Sequence, residues 1–83
     1  MIHRKNDSLN KLLSDVMKDL FGYTGPVSDR ISHEDVAGWD SLGHIGFIEE
    51  LERVFNIKIS SDELMMMIDL AAVKRVLRKH GVR

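Results

Sequence analysis

The 83 residues of this chain suffice for one small domain, and 43% apolar with 30% charged side chains lies near globular averages, which excludes an unfolded or collagen-like chain. The absence of cysteine excludes disulfides, thiolate metal sites and a cysteine nucleophile, and it fits a reducing cytoplasm. The net charge of −1 hides an asymmetry: residues 29–69 hold ten acids against three bases, whereas residues 70–83 hold five bases and no acid. A middle this acidic argues against nucleic-acid binding.

The start, Met1 to Asp7, lacks the apolar stretch of a signal peptide, and residues 1–7 are expected to be flexible. Leu9, Leu12, Leu13, Val16, Met17, Leu20 and Phe21 then recur at the spacing of an amphipathic helix over residues 8–22. Asp7 or Ser8 can cap its start, and Gly22 supplies a left-handed stop. Residues 23–40 read as a long connection punctuated by Gly25-Pro26 and anchored by Val27, Ile31, Val36 and Trp39. A second helix is expected over residues 41–55, ended by Asn56. Ser60-x-x-Glu63 is a capping box that opens a short helix over 61–67. Ile68 and Val73 flank Asp69 as a hydrophobic staple around the cap of a last helix over 69–80. The longest apolar run, Leu64 to Ile68, is far too short to span a bilayer, so no stable membrane insertion is expected. The forecast is an all-α chain of one domain over 1–83: a small four-helix bundle with a long first loop and a short third helix. The basic tail Lys74-Arg75…Arg78-Lys79…Arg83 reads first as the solvated, dipole-favoured end of that last helix, and second as a contact for an anionic surface.

Projected at about 100° per residue, the second helix puts Ile45, Phe47, Ile48, Leu51, Val54 and Phe55 on one arc, and Gly43, Gly46, Glu49, Glu50, Glu52 and Arg53 on the other. Leu42 breaks the rule by falling among the charges. It either packs on the preceding loop or is an exposed apolar contact. His44 falls toward the apolar side, where a hydrogen bond within the loop would satisfy it. Gly43 and Gly46 each cost about 1 kcal/mol inside a helix relative to alanine, so a loop or another protein is expected to cross closely there. Ser41 sits at the helix start, where it caps the helix or carries an anion favoured by free N–H groups.

The stretch Gly38-Trp39-Asp40-Ser41-Leu42-Gly43-His44-Ile45 resembles the attachment motif of the acyl carrier protein family. The similarity continues through the acidic-apolar run Glu49 to Phe55 and through Ile57 to Leu64, and covers roughly residues 8–80. The resemblance implies that Ser41, flanked by Asp40, Leu42 and His44, bears a 4′-phosphopantetheine arm. A separate phosphopantetheinyl transferase moves the arm from coenzyme A and supplies the magnesium chemistry. The arm's thiol would hold an acyl group as a thioester. It would present that group to acyl-loading and acyl-using enzymes, so the chain itself would be a non-catalytic monomer with no metal. Partners would dock on Leu42, Glu49, Glu50, Glu52 and Arg53, the acids steering them electrostatically. An acyl pocket between the second helix and the third and fourth would be lined by Ile45, Ile48, Phe55, Leu64, Met67, Ile68 and Val73, with His44 near its mouth. The run Met65-Met66-Met67 cannot all face inward, and one exposed methionine is expected. The near-neutral net charge, Glu49 where fatty-acid carriers have an apolar contact, and Arg53 within the acid cluster favour a specialised stand-alone carrier of a lipid or secondary-metabolite pathway.

Other readings are a peptidyl or aminoacyl carrier with the same arm, and a helical interaction module that is never modified. A hydrolase built on Ser41, His44 and Asp40 is disfavoured, because all three lie within five residues of one helix start. A helix-turn-helix is disfavoured by the acidic open face of the second helix. His3, His33 and His80 show no metal-ligand spacing.

Overall fold

The computed structural model describes residues 5–82, and within them four helices and no strand. They are α1 (Lys5–Phe21), α2 (Ser41–Phe55), α3 (Ser61–Met66) and α4 (Leu70–Lys79). The chain is a small, mostly helical domain. Its radius of gyration, 11.9 Å, matches the value of about 12 Å expected for a compact chain of this length.

Helix α1 begins at Lys5, three residues before the expected start. The flexible segment expected over residues 1–7 therefore includes helical residues 5–7, and its first four residues lie outside the described chain. The apolar stripe begins only at Leu9, so its periodicity carries no signal for the polar turn with which the helix begins. Leu9, Leu13, Val16 and Met17 are buried, while Leu12 and Leu20 stay at the exposed margin. Gly22 ends the helix at φ +66°, and its N–H bonds to the Lys18 carbonyl at 2.9 Å.

The other three helices obey their local signals. Asp40 accepts from the Gly43 N–H at 2.8 Å and caps α2, and Asn56 closes that helix in the left-handed region at φ 55°. The Ser60 and Glu63 side chains each accept from the other's backbone N–H, a complete capping box on α3. Met67 is the C-cap of α3 rather than its last residue. Asp69 caps α4 through the Ala72 N–H at 2.8 Å. At the far end Val82 N–H reaches the Leu77 carbonyl and Gly81 N–H the Arg78 carbonyl, both at 2.9 Å, the Schellman pattern.

One core joins the elements. Leu9, Leu13 and Met17 of α1 meet Phe47, Ile48 and Leu51 of α2, with Leu70, Val73 and Leu77 of α4 completing the cluster. The long connection contributes Val36 and Trp39 as buried residues, with Val27 and Ile31 packed beside them. It is also stitched to the α3–α4 junction. His33 N–H bonds to the Ile68 carbonyl (3.0 Å), Leu70 N–H to the Ile31 carbonyl (2.8 Å), and Ser32 forms an antiparallel bridge with Asp69.

Lys74 corrects the reading of the basic tail. Its side chain is only 6% exposed, and its Nζ bonds to Asp29 Oδ1 at 2.8 Å, across 45 residues of sequence. The aliphatic stem packs where α4 meets the loop while the ammonium reaches a carboxylate at the surface. The Lys74 hydrogen bond holds the Asp29 carboxyl below its ordinary range.

Candidate functional site at the start of the second helix

The connection delivers Trp39 to the base of α2, and the indole is 2% exposed. It stacks on Phe21 (ring centroids 6.2 Å apart, planes 15°) and meets Phe47 edge-on at 5.2 Å. The same ring faces His44, with centroids 6.2 Å apart and planes at 22°. Trp39 precedes the cap and His44 is the fourth helical residue, the two positions of a staple around a helix start.

Hydrogen bonds fix this pair. Trp39 Nε1–H donates to His44 Nδ1 at 2.9 Å. An indole nitrogen can only donate, so His44 Nδ1 is the acceptor and the ring proton resides on Nε2. That Nε2–H donates to the Leu64 carbonyl at 2.7 Å. Both imidazole nitrogens are therefore engaged within the protein. His44 offers no lone pair to Ser41, and Asp40 spends a carboxylate oxygen on capping Gly43.

Ser41 is the first residue of α2 and is exposed. The N–H groups of Ser41 and Leu42 belong to the first turn, which has no intrahelical acceptors for them. A cleft of about 330 Å³ opens beside the hydroxyl, lined by His33, Trp39, Asp40, Ser41, His44 and Ile68. Its walls come from the connection, the first turn of α2 and the α3–α4 junction. The stitches from His33 and Ile31 to that junction bring these walls together.

The two glycines of α2 differ in surroundings. A Cβ on Gly43 would lie 1.8 Å from the Gly38 carbonyl oxygen, so the connection crosses the helix there at backbone contact. A Cβ on Gly46 would meet nothing within 4 Å, and no close crossing exists at that residue.

The residues expected to form a docking face separate into two groups. Leu42 is 81% exposed, so it does not pack on the loop, and Glu49 is exposed two turns along the same face. Glu50 and Arg53 pair with each other, Arg53 Nε donating to Glu50 Oε1 at 3.1 Å with a second bond from Nη2. The Arg53 hydrogen bond holds the Glu50 carboxyl below its ordinary range. Glu52 turns back toward its own chain and accepts the Ile59 N–H at 2.8 Å.

The residues expected to line an acyl pocket do not share one cavity. Ile48, Met67 and Val73 are fully buried in the core, and Phe55 and Leu64 pack partly buried against it. Ile45 and Ile68 are exposed, and of the seven only Ile68 lines the cleft. Met65 and Met66 are both exposed, Met65 by 73%, where one exposed methionine was expected. Met65, Met66 and Ile68 leave apolar surface around the end of α3.

Three features escape the sequence reading. His33 reaches the cleft because the Ser32–Asp69 bridge brings it there, and no local pattern announces that bridge. The hydrogen bond expected for His44 within the loop is present, and only its partner escaped: Trp39, which the staple rule reaches because it applies as well to Asp40 as to Asp69. The third is a charged cluster at the far end, where Glu63 binds His80 Nε2 at 3.0 Å and Lys79 lies 3.5 Å away. The Ser60 backbone N–H, then His80, hold the Glu63 carboxyl at about 2.

Among the described residues no group of three His, Asp or Glu side chains is placed to hold a metal, and no helix is long and apolar enough to cross a membrane. Comparison with known protein families, with curated proteins and with solved structures finds no match to this chain.

Proposed function

We propose that the chain is a carrier protein whose Ser41 bears a 4′-phosphopantetheine arm, with its four helices forming a carrier-type bundle. The observation that carries this reading is the exposed Ser41 hydroxyl at the first position of α2, beside an outward-facing Leu42 and at the rim of a cleft of about 330 Å³. The residues present fit the group. A phosphodiester on Ser41 Oγ would lie at the positive end of α2, near two first-turn N–H groups that have no intrahelical acceptor. The Asp40 carboxylate is drawn onto the Gly43 N–H as the helix cap.

In this function Ser41 contributes only a hydroxyl. His44 and Asp40 hold the helix start rigid and are occupied in doing so, which suits a site whose base and magnesium belong to a separate transferase. When bound, the arm supplies a terminal thiol that holds an acyl cargo as a thioester. Leu42 offers the apolar contact for loading and acyl-using enzymes, and Glu49 an exposed charge two turns along the same face. The near-neutral balance of the chain supports a specialised, monomeric carrier of a dedicated lipid or metabolite pathway rather than a general fatty-acid carrier.

The test is intact mass after incubation with coenzyme A, magnesium and a broad-specificity phosphopantetheinyl transferase. A gain of one phosphopantetheine, absent from Ser41→Ala, is expected. A helical, folded chain that stays at its original mass refutes the carrier reading and leaves an unmodified interaction module.

A further inference from the structure

We infer that His44 is a specificity-determining residue: its imidazole closes the passage from the Ser41 cleft to the interior and confines the cargo to a short acyl group held outside the core. The inference rests on the carrier reading and adds the class of cargo to it.

Trp39 and His44 line the cleft in which Ser41 sits; the indole belongs to the packed interior, and the half-buried His44 ring stacks against it. Trp39 is wedged among Phe21 and Phe47. One turn beyond His44 lies the buried Ile48, and three residues after Leu64 stands the buried Met67, whose N–H bonds to the Leu64 carbonyl. His44 thus stands between cleft and core. Its two hydrogen bonds run in opposite directions, to the loop through Trp39 at 2.9 Å and to α3 through the Leu64 carbonyl at 2.7 Å. They fasten the first turn of α2 to α3 across 20 residues of sequence. A guest moving inward from Ser41 must part both bonds, leaving an indole N–H without a partner and a backbone carbonyl one hydrogen bond short in a part-buried place, which is unfavourable. The guest must also displace Met67 or Ile48 from a filled core.

The lining of the cleft outside this barrier decides what can rest there. Its volume, about 330 Å³, is not too small for a chain of several carbons, so the chemistry of the walls and not the space discriminates. Its lining carries two imidazoles, an indole, a carboxylate and a hydroxyl, and a single aliphatic side chain, Ile68. Such a surface accommodates an acyl group of a few carbons and gives a long alkyl chain little apolar area to cover.

The experiment uses the full chain, loaded at Ser41 from acetyl- and from decanoyl-coenzyme A by a transferase that accepts acylated donors, with loading verified by mass. The thermal midpoint of each form is then measured, with emission of Trp39, the chain's one tryptophan, as a local reporter. In the wild type the acetyl and decanoyl forms should melt within about 1 °C of each other, with unchanged Trp39 emission. In His44→Ala, where the barrier is open and the flexible Met67 can yield, the decanoyl form should melt several degrees above the acetyl form, and Trp39 emission should shift with chain length. His44→Gln, whose amide can both accept from the indole and donate to Leu64, should restore wild-type behaviour. His44→Ser, too short to span from the indole to the Leu64 carbonyl, keeps the Trp39 reporter and serves as the open form if His44→Ala does not fold. A wild type whose midpoint rises with chain length overturns this inference and leaves the carrier reading intact. So does an open form as insensitive to chain length as the wild type. Absence of any loading overturns both.

Discussion

Gly43 and Gly46 lie three residues apart in α2, and the same change at each, glycine to alanine, should move stability in opposite directions. Alanine is favoured over glycine in a helix interior by about 1 kcal/mol. At Gly46 nothing opposes this gain, because an added Cβ meets no atom within 4 Å. Gly46→Ala should therefore raise the thermal midpoint by about 4–8 °C for a domain of this size. At Gly43 the new Cβ would stand 1.8 Å from the Gly38 carbonyl oxygen, where contacts under 3.0 Å are essentially unknown. The obstacle is backbone, and Gly38 is itself held at φ +93°. Relief requires a movement of about 1.2 Å between the connection and the helix. That movement strains the Asp40 cap on the Gly43 N–H and the seat of Trp39. Overpacking in a filled site costs about 1–3 kcal/mol, and an immovable carbonyl belongs at the upper end. After the helix gain the net loss is about 2 kcal/mol, a fall of about 8–16 °C. Circular dichroism melts of the two variants beside the wild type decide the matter. A Gly43→Ala protein that melts at or above the wild type would refute the close crossing of loop and helix on which the geometry of the Ser41 site depends.

Leu42→Ala should leave the fold within about 0.5 kcal/mol of wild type, since the side chain faces solvent, while turnover by partner enzymes falls. Loss of folding would show that Leu42 is needed inside. Glu52→Lys should lower stability by about 1–3 kcal/mol, read in urea melts, because it strands the Ile59 N–H; an unchanged midpoint would mean that Glu52 acts only as a surface charge. Glu63 has a folded-state pKa of about 2, below its ordinary 4.5. Its contribution is thus complete above about pH 4.5 and is lost as pH falls from there toward 2. Wild type should lose stability across that window more steeply than Glu63→Gln, and parallel acid profiles would contradict this. Asp29→Ala should cost about 2 kcal/mol in urea melts, less than for a pair buried at both ends, because Asp29 is 65% exposed. Lys74→Met should stay within about 1 kcal/mol of wild type, since it retains the packed stem and removes the charge. Equal losses in the two variants would mean that the ion pair itself stabilises the fold, and that the ammonium left behind in Asp29→Ala is not the source of the cost.

The local rules made most of the helical elements legible. Asp40, Ser60 and Asp69 announce helix starts because short polar side chains satisfy first-turn N–H groups, and Gly22 and Asn56 mark ends because the left-handed conformation is open to them. The start of α1 was missed because Asp7 and Ser8, which look like caps, lie inside the helix, and the polar turn from Lys5 carries no periodic signal. Leu42 and His44 were legible as anomalies on the α2 face; Leu42 does stand in solvent and His44 does take a hydrogen bond from the loop. Side chains that reach across the fold were not legible. Lys74 looks like any surface lysine until Asp29, 45 residues earlier, is placed beside it. Glu52 looks like a steering charge until the turn after α2 brings the Ile59 N–H under it. Helical projection gives the direction of a side chain from its own axis and contains nothing about which backbone will arrive there.

The stitching of the long connection onto the α3–α4 junction bears on the order in which the chain can complete itself. Helices α1 and α2 form from near neighbours in sequence, whereas the Ser32–Asp69 bridge and the Asp29–Lys74 pair must close loops of tens of residues first, which is slow. His33 and Ile68 reach Ser41 only through those late closures. A nascent or nicked chain in which α4 has not docked would display the serine on a formed helix but with two walls of its cleft missing. An enzyme that recognised the whole cleft, rather than the helix alone, would discriminate finished molecules from unfinished ones.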